Sequence, residues 1–149
     1  MVQKRLVHGG GGIKPDVYVP YDSGRLTPDL LDLLMSDGLL DAIWDYYSLN
    51  YQSLRQYRTV NEFNRNFTSA ELVLNNYLKD LSPAQQMGAR AVLSRPANRA
   101  YLLLEIRSQM ARILFRNTGY YFVNTKGDEL IQRALQILRS PQYQKLISR

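Results

Sequence analysis

The stretch SRPANRAYLLLEIRSQMARILFRNTG, residues 94–119, decides the fold class. Proline disfavours helical geometry in the residue before it, so Pro96 closes whatever helix precedes Ser94 and Arg95. From about Asn98, the apolar residues Leu103, Ile106, Met110, Ile113 and Leu114 recur at intervals of three and four. That spacing predicts one long amphipathic helix reaching about Asn117, with these five as its buried stripe. Arg107, Arg112 and Arg116 then read as its outer, solvated face, and Thr118-Gly119 as its C-terminal cap.

Upstream, start signals for further helices are frequent. Thr27-Pro28 pairs an N-cap hydroxyl with proline at the first helical position, where the missing N–H costs nothing. This helix is expected to end near Ser36-Asp37, closed by Gly38. Leu40, Ile43, Trp44, Tyr47, Tyr51 and Leu54 then define one face of a single long helix. Thr59–Glu62, Thr68–Glu71 and Ser82–Gln85 each match the capping box, in which hydroxyl and carboxylate or amide satisfy each other's free backbone N–H. The second opens a helix carrying Leu74, Tyr77, Leu78 and Leu81.

Downstream, Tyr120 to Val123 reads as an extended aromatic segment or tight connector. Asp128 starts a helix with Ile131, Ala134, Leu135 and Leu138 on one face, and Ser140-Pro141 starts a last short one. Near the N-terminus, Arg5-Leu6-Val7 and Val17-Tyr18-Val19 read as two halves of a hairpin around four glycines. The expected fold is therefore mainly α: a multi-helix bundle over 25–149, preceded by a short β-hairpin-like segment within 1–24.

Composition excludes several chemistries. Among 149 residues there is no cysteine, hence no disulfide, thiol nucleophile or zinc-thiolate site. The one histidine, His8, has Asp16 and Asp22 as candidate partners, but an exposed strand end is the simpler reading. Gly9 to Gly12 do not make a phosphate loop, because Ile13-Lys14-Pro15 follows in place of Lys-Ser/Thr opening a helix. Asp29/Asp32 and Asp41/Asp45 sit three and four apart on helices and read as solvated faces, so neither metal nor cofactor is expected. The 11 tyrosines, including Tyr46-Tyr47 and Tyr120-Tyr121, suit core or groove lining, and a peptide-binding groove is the functional form of that pattern.

Charge is uneven: residues 1–89 hold 8 basic and 10 acidic side chains, residues 90–149 hold 11 and 3. The basic half raises a nucleic-acid partner. No nucleic-acid motif accompanies it, and solvated helix faces are the preferred reading. No apolar run approaches the roughly 18 residues of a membrane span, and no signal peptide opens the chain.

The stretch GGGGIKPDVYVP, residues 9–20, carries a resemblance. Gly9, Gly10, Gly11, Gly12, Ile13, Pro15 and Asp16 resemble the segment near the end of the catalytic domain in C-terminal processing peptidases, also called tail-specific proteases. A second, looser resemblance to the helical tails of such enzymes runs through Leu104-Glu105-Ile106, Ala111-Arg112, Tyr120-Tyr121, Asn124, Asp128 and Ala134-Leu135. The family implies a serine endopeptidase with a Ser-Lys dyad upstream of the glycines, exported to the periplasm or cell envelope. Residues 1–8 contain no serine, and Lys4 and Lys14 are wrongly placed for the base, so no catalytic residue is carried over. The resemblance thus implies a non-catalytic fragment: the last strands of a protease domain (1–24) and the helical domain after it (25–149). Its expected partners are the rest of the protease, a protein or peptide substrate, and a second copy in a homo-oligomer.

Overall fold

The computed structural model describes residues 16–20 and 26–147. They fall into two units: residues 26–127, and residues 16–20 together with 128–147. The expectation of a mainly α protein is met, and no strand occurs among the described residues. Residues 16–20 are a bend and coil; the glycine run and the proposed hairpin's first half lie outside the described residues.

The larger unit contains α1 (Pro28–Leu34), α2 (Asp37–Leu49), a single turn α3 (Tyr51–Leu54), α4 (Val60–Asn66), α5 (Ala70–Asp80), α6 (Pro83–Leu93) and α7 (Pro96–Asn124), closed by a 3-10 turn at Thr125–Gly127. Only some of its N-termini follow the local signals. The Thr27 hydroxyl accepts from the Leu30 N–H, with Pro28 in the first turn. The Ser82–Gln85 capping box forms in both directions. At Thr59 half the box forms, but the Glu62 carboxylate accepts from the Arg58 N–H, one residue early, at 2.9 Å. The Thr68–Glu71 box does not form: α5 begins after Ser69, and Glu71 pairs with Arg99 of α7 instead. Gly38 does not end α1; it lies in the first turn of α2. The long helix expected through Leu54 breaks at Asn50, whose side-chain amide donates back to the Tyr46 carbonyl at 2.9 Å.

The C-termini are solved differently. The last carbonyls of a helix lack intrahelical donors and need partners from elsewhere. Here side chains from later helices supply several of them. The Gln86 amide donates to the Leu81 carbonyl at 2.9 Å, closing α5 from α6. Asn98, buried in α7, donates to the Val92 carbonyl at 2.9 Å, closing α6. Arg107 of α7 donates to the carbonyls of Asn64, at 2.7 Å, and Phe67, closing α4. Arg107 is therefore not on a solvated face. Burial lowers its pKa, and its guanidinium also lies 5.9 Å from the centroid of the Phe67 ring.

α7 is the hub, in contact with α1, α2, α4, α5 and α6. Its fully buried row is Leu102, Ile106 and Met110, with Asn98 one turn earlier and Ala111 beside it. The expected members Leu103, Ile113 and Leu114 are only partly buried. A rotation of this kind also affects α2. There Leu39, Ala42 and Ile43 face Val73, Leu74 and Tyr77 of α5, while Leu40 and Trp44 are exposed.

The helix predicted to end at Gly119 instead reverses. Phe115 and Arg116 leave helical geometry, and Arg116 takes φ 58° and ψ −154°, a region that side chains rarely occupy. The hydroxyl of Tyr120 donates to the carboxylate of Glu105 at 3.2 Å. Fifteen residues along a straight helix would separate them by about 22 Å. α7 is thus a helical hairpin whose second limb, 117–124, lies back on the first. Tyr120 to Val123 is helical, and Val123 is buried in the core. Gly119 is not a cap: a Cβ there would lie 2.3 Å from the Ala111 carbonyl oxygen and 2.8 Å from the Phe115 Cβ.

In the smaller unit, Asp128 caps α8 (Glu129–Leu138) as expected, accepting from the N–H groups of Leu130 and Ile131 at 2.9 and 3.1 Å. Ser140 leads into α9 (Pro141–Ile147), and its hydroxyl accepts from the Gln142 N–H. No residue of α8 is buried, although its pattern is strongly amphipathic.

Two stability predictions follow from these contacts. Gly119→Ala is expected to lose at least about 1–3 kcal/mol in urea denaturation, because the added methyl meets backbone that has no room to move. Arg107→Leu is expected to lose about 2–3 kcal/mol, because two carbonyls lose a charged donor.

Candidate functional site

A groove of about 720 Å³ opens between α1, α5, α6 and the start of α7. Its floor is apolar: Tyr77 and Ala89 are buried, and Leu33, Leu81 and Val92 are partly buried. One rim carries Asp29 and Asp32 on the exposed face of α1, and the other carries Gln85 and Arg95. α6 keeps the groove open through small residues; a Cβ added at Gly88 meets nothing within 4 Å. Asn98 fixes the corner where α6 meets α7, and so sets the position of Arg95.

This volume suits several side chains of a polypeptide, with opposite charges on the two rims. Its hydroxyls are those of Thr27, Ser36 and Tyr77, and that of Thr27 is engaged as a helix cap. Asp29 and Asp32, expected to be solvated, are exposed as predicted, but on the rim of this groove. Asp41 and Asp45 are exposed on α2, away from it. Among the described residues no group of acidic or histidine side chains is placed to hold a metal ion. Of the resemblance-bearing residues, Gly9 to Gly12, Ile13 and Pro15 lie outside the described residues, as does His8; Asp16 is exposed.

The tyrosine pairs divide in role. Tyr46 meets Phe67 edge-on at 6.3 Å, in an aromatic cluster with Phe63, Tyr57 and Phe115. Burial, reinforced by the neighbouring Tyr46 and Glu62, raises the Tyr57 pKa. Tyr120 belongs to the hairpin of α7. Its hydroxyl contacts Glu105, which also accepts from Gln109 at 2.7 Å, while the Arg112 guanidinium lies 5.8 Å from its ring centroid. The groove is not where the tyrosine pairs suggested one: Tyr77 lines it, but Tyr46, Tyr47, Tyr120 and Tyr121 do not. The small residues Gly88, Ala89 and Ala91 on α6 are the sequence signal that could have placed it.

No known protein-family model matches the chain, and no curated protein or solved structure matches it either. No helix among the described residues is long and apolar enough to cross a membrane.

Burial, followed by the Glu105 carboxylate, raises the Tyr120 pKa from 10.0 to about 12. The unfolded chain therefore releases this proton first. Its stabilising effect is complete below pH 10 and is lost as pH rises toward about 12. Glu105→Gln is expected to bring the Tyr120 titration, followed by NMR of the labelled ring carbon, back toward 10.0.

Proposed function

We propose that this chain is a non-catalytic helical domain of an exported tail-specific serine protease, acting through protein–protein packing. The observation that carries the reading is the groove of about 720 Å³ with an apolar floor and opposite charges on its rims. Such a surface holds a polypeptide segment by shape and charge without chemistry of its own. The resemblance at residues 9–16 supplies the partner: the protease domain to which a helical domain of this kind is attached. Packing there would shape access to the catalytic cleft, in the periplasm or cell envelope where that family works.

A second reading is a substrate-binding module, with the same groove receiving unfolded polypeptide. The basic half supports a nucleic-acid surface less well than its composition suggests. Arg99 is paired with Glu71, and Arg107 is engaged by two carbonyls, so two arginines of α7 are already committed inside the fold.

Removing residues 25–149 from the protease that carries the motif should alter its folding, assembly or cleavage selectivity. Unchanged folding, assembly and kinetics would reject the reading. Gly88→Leu separates the two uses of the groove. It is expected to fill open space with little change in Tm. Saturable binding of unfolded peptides to the parent chain, lost in this variant, would favour the substrate module; altered cleavage without peptide binding would favour domain packing.

A further inference from the structure

Trp44 is the one tryptophan of the chain, and it is 52% exposed in a helix whose neighbours Ile43 and Ala42 are buried. With Leu40, 43% exposed, it forms one wall of a recess of about 540 Å³ between α2 and α7. Arg112 and Arg116 stand on the α7 side of that recess. Both are exposed, and neither has a carboxylate partner among the described residues. The strained backbone at Arg116 lies within the recess wall. Arg116 thus lines the same recess as Arg112.

The other flank of the same stripe is acidic. At about 100° per residue, Asp37, Asp41 and Asp45 line up on α2 on the side of Leu40 and Trp44 away from Ile43. All three are exposed. Across the surface the order is therefore arginine pair, recess, Leu40 and Trp44, then aspartate row. A two-fold axis through the apolar centre turns this strip onto itself with opposite charges facing. That is the requirement of an isologous interface, where one patch must complement its own copy. Tryptophan and arginine are also the side chains that carry most energy in such contacts.

We propose that a second copy of this chain docks on the Trp44 face, Trp44 against Trp44, with Arg112 and Arg116 of each protomer facing the aspartate row of the other. The interface is separate from the groove at α1 and α6 and does not rest on the function proposed for it.

The test uses the full chain. Sedimentation from low micromolar to submillimolar concentration should show its mass doubling. Trp44 emission should move to the blue with the same midpoint, and the emission belongs to this residue alone. Added salt should weaken association, since the flanking pairs are exposed. Asp41→Arg with Asp45→Arg should weaken it about tenfold or more, as should Arg112→Asp with Arg116→Asp, because like charges then face each other. All four changes together should restore it. A monomer at every concentration overturns the proposal, and so does a dimer whose Trp44 emission stays unshifted. Failure of the fourfold variant to re-associate, with its helical circular dichroism intact, overturns the charge pairing. The wild-type mass, emission and salt measurements decide the case even where a variant fails to fold.

Discussion

The backbone of Gly119 lies directly against the Ala111 carbonyl, and the architecture of the hub helix depends on that approach. A helix that ran straight from Pro96 would carry Val123 away from the core. Because the chain reverses at Phe115 and Arg116, Val123 is buried, and the turn at Gly127 returns to Leu104. The reversal is held from both ends. Phe115 meets Phe63 edge-on at 6.2 Å, and Tyr120 reaches Glu105 across the two limbs. A non-glycine residue at φ 58° costs about 1–3 kcal/mol, which these contacts offset.

A second constraint acts on the helices around the hub. Glycine in the left-handed conformation is the usual way to satisfy a helix C-terminus. At the ends of α4, α5 and α6 no glycine takes this part, and amides and a guanidinium from later in the chain take its place. The consequence is tertiary. A local glycine cap would leave each corner free to hinge, whereas Gln86, Asn98 and Arg107 tie the end of one helix to the body of another. The groove inherits its geometry from two of these ties, since Gln86 and Asn98 fix both ends of α6.

The legible parts of the fold were those written in neighbouring residues. Thr27-Pro28, Ser82-Pro83 and Asp128 mark helix starts because their effects act within one turn. Illegible parts depended on who packs where. Periodicity shows that α2 and α7 have apolar faces but leaves open which of two adjacent rows meets a neighbour. α7 touches five helices, so a row four apart is buried where a mixed three-and-four stripe was expected. The hairpin in α7 was hidden because Phe115-Arg116-Asn117 contains no proline or glycine, and Gly119 carries the same letter for a close approach as for a cap. Asp29 and Asp32 were rightly placed at the surface, yet their position on a groove rim depends on α6, some fifty residues later.

α8 is amphipathic, yet none of its residues is buried. Its ten residues carry Leu130, Leu135 and Leu138, all exposed. A helix this short is marginal in water by itself, because nucleation is costly and packing of the apolar face normally supplies its stability. Asp128 satisfies two of its free N–H groups, but a cap contributes only about 1 kcal/mol. An apolar stripe with a well-formed cap and no buried residue is what a packing module presents to a partner.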